Sequence, residues 1–221
     1  MIRRSVKSDD RCLLFFVKNP EKGKVKSRLA TIIGGDSAVH LYKNLVAQML
    51  ATLKEGTFPF YVCFFPKNAQ KSTENWLGTE YRYIPQNGKD LGERMRNGFT
   101  GAFQMGFKRV LLIGSDIPDL PLGFIREAFA SLKKEDVVIG PAYDGGYYLI
   151  GFKDKTFSPQ VFERIAWGTQ NVFDETIKKL ERFGRAVHTL PYQRDIDTAE
   201  DLKYLKRKFL PAAHQPSGEK S

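Results

Sequence analysis

Five cations fall within eleven residues in KNPEKGKVKSR, residues 18–28, and strand-end acids recur at Asp116 in GSDIPDLP and at Asp195 and Asp197 in DIDT. A loop so dense in Lys and Arg repels itself unless an anion is bound. A solvated, lysine-rich loop is the ordinary reading of such a run. Here, however, the run follows an apolar segment at residues 12–17 and leads into a helix at Ser27, where free backbone N–H groups also favour phosphate. Position therefore favours phosphate binding by the loop that begins at Lys18. It is neither a Walker loop nor a dinucleotide fingerprint, because GxxxxGK[ST] and GxGxxG are both absent.

Asp116 follows the apolar run at residues 109–113. A carboxylate just past the carboxyl end of a buried strand, beside a polyphosphate, suits Mg2+ or Mn2+, which take oxygen ligands from protein and phosphate together. The competing role is a cap for the helix that begins near Pro121, and Asp119 lies closer to that helix. Asp197 or Thr198 can cap the next helix, and DID alone is a short match. Joined to Asp116 and the cationic loop, the acid pair completes a set suited to metal-assisted phosphate chemistry.

GPAYDGGYYLIG, residues 140–151, reads first as a hairpin turn between two apolar runs. Gly145 and Gly146 also let a ligand approach the backbone. Tyr147 and Tyr148 point to opposite faces of a strand, so one at most is expected to face a site. Trp167 offers a flat apolar face to a sugar or anchors the core; both readings stand. The three histidines, His40, His188 and His214, share no spacing that suggests catalysis.

The elements that must position these residues follow from periodicity. Apolar runs at residues 12–17, 60–65, 81–84, 110–113, 137–139, 147–152 and 186–190 alternate with helical spacing at 36–55, 90–107, 121–133, 172–183 and 198–209. Asp36 is expected to cap the first of these helices. Such alternation predicts an α/β chain with a mostly parallel sheet, helices on both faces and ligands at the carboxyl ends of the strands. The 221 residues, 42% hydrophobic, suffice for one sizeable core. Residues 12–210 read as one domain, with an extension at 1–11 and a Pro/Ser/Gly/Lys tail at 211–221 that is expected to be disordered.

The net charge of +10 raises the question of nucleic acid, and its distribution argues against it. Residues 1–28 hold nine Lys/Arg against three Asp/Glu and residues 203–221 hold five against one, leaving 21 of each sign between. Basic faces interleaved with aromatics, the usual nucleic-acid pattern, are missing. Cys12 and Cys63 lie inside apolar runs and read as reduced thiols of a cytoplasmic protein. No run is long enough for a membrane span.

Six segments in this order carry a family resemblance: VKNPEKGKVKSRLA, with Ser27 where Thr is usual; DLGERM; GSDIPDLP; GPAYDGGYYLIG; WGT; and DIDTAEDL, with Ala199 where Pro is usual. From about Leu13 to Leu205 the chain resembles a small bacterial family of the nucleotide-diphospho-sugar transferase superfamily, with the GT-A fold. Its members are described as glycosyltransferases associated with radical-SAM genes and arsenosugar biosynthesis. Phospholactate guanylyltransferase shares the fold. The resemblance implies a metal-dependent transferase that moves a sugar from a nucleotide sugar to a small-molecule acceptor, or, alternatively, nucleotidyl transfer from a nucleoside triphosphate with release of pyrophosphate. A binder of nucleotide or nucleic acid without turnover is the third reading. By the same likeness, phosphates lie near Lys26 and Arg28, and the base lies beside Gln86, Gly88, Leu91 and Gly92. Asp116 and Asp197 hold Mg2+ or Mn2+. Lys26 and Asp144 stand where catalysis occurs, with Asp144 binding hydroxyls or acting as a base.

Overall fold

The computed structural model describes residues 9–209. Most of the expected N-terminal extension, the tail at 211–221 and His214 lie outside the described residues.

Among the described residues seven strands form one sheet: β1 (Arg11–Lys18), β2 (Phe60–Phe65), β3 (Tyr83–Pro85), β4 (Arg109–Ile113), β5 (Val137–Pro141), β6 (Tyr147–Lys153) and β7 (Val187–Thr189). Their order is β3-β2-β1-β4-β6-β5-β7, and β6 alone of these runs antiparallel to its neighbours. The central strands are apolar on both faces because both are covered; six consecutive residues of β1 are buried.

Helices α2 (Gly35–Lys54) and α5 (Leu122–Ser131) close one face over Leu13, Phe15, Phe64 and Leu111. The other face receives α4 (Leu91–Gln104) and α6 (Val172–Arg182), with Phe99 and Phe162 stacked 5.9 Å apart between ring centres. A small third cluster of Leu29 in α1 (Ser27–Ile33), Leu45 in α2 and Ile196 takes in Leu202 and Leu205 of α7 (Ala199–Phe209). The result is the expected α/β architecture, a mixed and mostly parallel sheet between two helical layers.

Several local expectations need correction. Asp36 does not cap α2: Gly34 holds that position, and Asp36 sits in the first turn with its carboxylate 2.8 Å from Lys22 Nζ. Asp119 does not cap α5, whose N-cap is Pro121 with no side-chain bond. The third strand begins at Tyr83, since Tyr81 packs edge-on against Tyr83 instead of joining the ladder. Helix α3 (Gln70–Leu77) escaped prediction because QKSTENWL carries too few apolar residues for periodicity to register. Its Trp76 nonetheless packs 6.0 Å from Tyr42.

The hairpin at residues 140–151 is present, and one of its glycines, Gly145, is required by the turn. Its φ of +89° is a left-handed conformation, and a Cβ there would run into the backbone of Gln170. Gly145→Ala is therefore expected to destabilise the fold by about 2 kcal/mol or more, since left-handed backbone costs ~1–2 kcal/mol for a residue with a Cβ and the backbone neighbour cannot yield. Urea unfolding measures this; an unchanged midpoint would show that the turn tolerates a side chain.

Candidate active site

At the carboxyl ends of the strands lies a cleft of about 390 Å³. Its position follows from topology, because strand order reverses between β1 and β4 and the loops beyond these strands must diverge there. Lys18, Lys24, Lys26 and Arg28 line one end; Phe16, Leu91, Met95 and Trp167 supply an apolar slot. Lys22, the remaining cation of the loop, turns away to Asp36.

Lys26 organises the charged end. Its backbone is left-handed (φ 47°), at the N-cap of α1, and this unusual conformation carries the side chain inward. The ammonium is buried, with 2% side-chain exposure, and forms ion pairs with both Asp116 and Asp197 (2.8 Å to the latter). Burial alone would lower its pKa; the two carboxylates outweigh that and hold it above the ordinary lysine value. Lys26 is thus a fixed cation beneath two partly exposed acids.

The two acid loops are also tied by backbone. Ile196 N–H donates to the Asp116 carbonyl at 3.1 Å. Chain reaching from β7 at the sheet edge first pairs with the β5–β6 turn, where Gln193 N–H donates to Pro141 O and Tyr143 N–H to Gln193 O, and then crosses to Asp116. The capping alternative at this loop is settled by geometry. Thr198 and Asp201 bond reciprocally at the start of α7, with Thr198 N–H donating to Asp201 Oδ2 at 2.8 Å, which leaves the Asp197 carboxylate to Lys26. Tyr42, buried in α2, accepts from Lys18 N–H at 2.8 Å and meets Ser115 Oγ at 3.2 Å, linking the ends of β1 and β4.

The other expected residues divide. Gln86 is buried and its amide nitrogen donates to Val17 O (3.2 Å) and Cys63 O (2.6 Å). Gln86, Leu91, Asp144, Gly146 and Trp167 line the cleft, whereas Gly88, Gly92 and Gly145 do not. Gly92 serves close packing instead: a Cβ there would stand 2.7 Å from the Trp167 indole. Trp167 combines its two expected roles, packing against the core while bordering the cleft. Tyr147 and Tyr148 do point to opposite faces of the sheet, yet both border the cleft, because it spans the sheet's carboxyl edge. Asp144 accepts from Gly146 N–H at 2.8 Å, an Asx turn that fixes the hairpin tip beside the cleft.

Sequence reasoning gave Asp195 no role of its own, although DIDT displayed it. It is buried at the cleft, and its carboxyl is pushed up to about 7, first by burial and then by the charges of Asp144 and Asp197. A folded-state pKa above the unfolded value of about 3.9 means that the native state keeps a proton between pH 4 and 7 that the unfolded chain has lost. Stability should accordingly fall as pH rises through that window. Asp195→Asn is expected to remove the slope and to gain about 2–4 kcal/mol over the parent protein at pH 8. Urea unfolding between pH 4.5 and 8 tests this, and equal slopes for both proteins would contradict it.

Mg2+ or Mn2+ needs from the protein only one or two carboxylates besides phosphate oxygens and water. Asp116 and Asp197 converge on one cationic position through Oδ1, and each retains a second oxygen outside the pair with Lys26. That donor set fits a hard cation completed by phosphate. Among the described residues no group of three or more His, Cys, Asp or Glu forms a cage made of protein alone. No described helix is long and apolar enough to cross a membrane, and both cysteines are free and buried.

Comparison with known proteins places this architecture. No curated protein matches the chain. A crystal structure from Desulfovibrio desulfuricans G20, of a protein assigned as a nucleotide-diphospho-sugar transferase, is 42% identical over 93% of this chain and 90% of its own, with a TM-score of 0.88. A nucleotidyl transferase from Methanothermobacter thermautotrophicus (15% identity, TM-score 0.59, 90% and 97% covered) shares the fold. So does Rv0371c of Mycobacterium tuberculosis H37Rv, in a complex with manganese (13% identity, TM-score 0.54, 90% and 98% covered). The profile of DUF2064, described as an uncharacterized protein conserved in bacteria, matches residues 45–169, more than half of the sequence, and the chain belongs to that family.

Proposed function

We propose that the protein is a metal-dependent transferase that moves a sugar from a nucleotide-diphospho-sugar to a small-molecule acceptor. The observation that carries this reading is the convergence of Lys26, Asp116 and Asp197, from three separate loops, between a cationic loop and an apolar slot. The 42% identical relative, assigned to the same class, supports it.

The nucleotide lies along the cleft with its base in the slot near Gln86 and Leu91. Its diphosphate rests against Lys18, Lys24 and Arg28. Lys26, already held by two acids, keeps Asp116 and Asp197 in register. A bound Mg2+ or Mn2+, held by these two acids, would neutralise the diphosphate charge. The acceptor enters over the β5–β6 turn, where Asp144 binds its hydroxyl and takes the proton. The acceptor oxygen bonds to the anomeric carbon as the bond from that carbon to the phosphate oxygen breaks, and a nucleoside diphosphate leaves.

Nucleotidyl transfer uses the same cleft with a different leaving group, and the cations left free of Asp116 and Asp197 favour it as the second reading. Incubation with Mg2+, a mixed acceptor pool and either sugar nucleotides or nucleoside triphosphates separates the two by product. Nucleoside diphosphate released from sugar nucleotides supports glycosyl transfer; pyrophosphate released from triphosphates replaces it with nucleotidyl transfer. Bound nucleotide without either product would point to a binder.

A further inference from the structure

Among the described residues, one buried side-chain polar atom has no hydrogen-bond partner: Nε of Arg94. Native proteins satisfy nearly all such atoms, and the exceptions call for an explanation such as a missing ligand. Arg94 stands in the first turn of α4 and borders the cleft. Its guanidinium lies 4.4 Å from the Phe65 ring centre, a cation–π contact that commits none of its N–H groups. Among the described residues no carboxylate lies within ion-pair distance of it, and burial lowers its pKa from the usual guanidinium value despite the opposing charge of Asp90.

The backbone that carries Arg94 is rigid. Asp90 caps α4 by accepting from Glu93 N–H at 2.8 Å, and a Cβ on Gly88 would stand 2.6 Å from Arg94 N, so the segment between them is closely packed. Gln86, which also lines the cleft, has its amide nitrogen committed to two backbone carbonyls, which leaves its side-chain oxygen as an acceptor. The apolar residues beside it suit a flat ring. Phosphate is better served at the other end, by the loop from Lys18 to Arg28.

Resting on the nucleotide reading above, we infer that Arg94 is the base-reading residue of this cleft and selects nucleotides whose base carries two adjacent acceptors on one edge. A guanidinium fork offers two parallel donors and needs two neighbouring acceptors. Guanine provides O6 and N7; cytosine provides O2 and N3. Adenine places a donor beside each ring acceptor of that edge, and uracil places N3–H between its two carbonyls. Both are therefore disfavoured.

Calorimetric titration of the full chain with GDP, CDP, ADP and UDP in Mg2+ tests the inference, together with Arg94→Met and Arg94→Lys. GDP or CDP should bind at least about 10-fold more tightly than ADP and UDP, and the comparison of the two identifies the base. Arg94→Met should level the four affinities. Arg94→Lys keeps a charge without the fork and should level them as well, which separates geometry from charge. ADP or UDP as the tightest ligand would overturn the inference. So would an unchanged ranking in either folded variant, or equal binding of all four by the parent protein. Binding of none would instead overturn the nucleotide reading itself, and this inference with it.

Discussion

Asp116→Asn should leave the protein folded and remove most of the effect of Mg2+ or Mn2+ on nucleotide binding, with turnover lower by about two orders of magnitude or more. The substitution keeps shape and hydrogen-bonding capacity but deletes one of the two carboxylates on Lys26. Asp197 still holds the buried ammonium, so the charged end should not collapse. No helix cap is lost either, because the N-cap of α5 is Pro121. Weak, metal-independent nucleotide binding through Lys18, Lys24 and Arg28 should persist. Titration with and without EDTA, alongside thermal unfolding, distinguishes the outcomes. If the variant loses only ~1 kcal/mol of stability, the scale of a local structural contact, while metal still tightens binding, Asp116 does not belong to a metal site.

Lys26→Met should have the larger structural effect. Removing a buried ammonium leaves Asp116 and Asp197 facing each other, with Asp195 two residues away and already resistant to ionisation. Breaking a buried pair by deleting one partner costs about 3–5 kcal/mol; partial exposure of both acids sets the expectation near ~3 kcal/mol at pH 8. The pH dependence has a definite sign. Without the lysine, whose charge partly offsets the rise, the Asp195 carboxyl should move still further above its unfolded value of about 3.9. The native state then holds extra protons between pH 4 and 7, and stability rises as pH falls through that window. The loss should therefore shrink by pH 5. In the parent protein the raised lysine pKa acts in the same sense in a more alkaline window: its contribution is full below the ordinary lysine value and is lost as pH rises through the folded-state value. Lys26→Gly should lose less stability than Lys26→Met, because glycine accepts φ 47° without strain. Equal stability of parent and Lys26→Met at pH 8 would show that the two ion pairs contribute nothing.

Periodicity made the sheet legible in advance. The six-residue runs of β1 and β2 are apolar on both faces because both faces are covered, and the heptad-like spacing of α2 survives in its buried stripe from Ala38 to Leu53. Edges and caps were less legible, as α3 and Asp36 show. Neither is encoded by a strong local period, and each is settled by what packs nearby.

At the site, Asp116 and Asp197 could be read from their places beyond apolar runs. Three features could not. The inward turn of Lys26 depends on a left-handed backbone that lysine seldom adopts, so no propensity would forecast it. The meeting of Asp116 with Asp197 depends on chain returning from β7 at the edge of the sheet, a contact between residues far apart in sequence. Arg94 lies in DLGERM with nothing in its spelling to single it out; only its buried, unpartnered Nε distinguishes it.

The most direct test of a metal-dependent nucleotide site in this cleft is calorimetric titration of the parent protein with nucleoside diphosphates in Mn2+ and again in EDTA. Stabilisation and heat of binding follow directly from a ligand that prefers the native state. Saturable binding at one site per chain is expected, at least about 10-fold tighter with Mn2+, because a cation held by Asp116 and Asp197 would neutralise the phosphates. Absence of binding under both conditions, or binding indifferent to Mn2+, would contradict it.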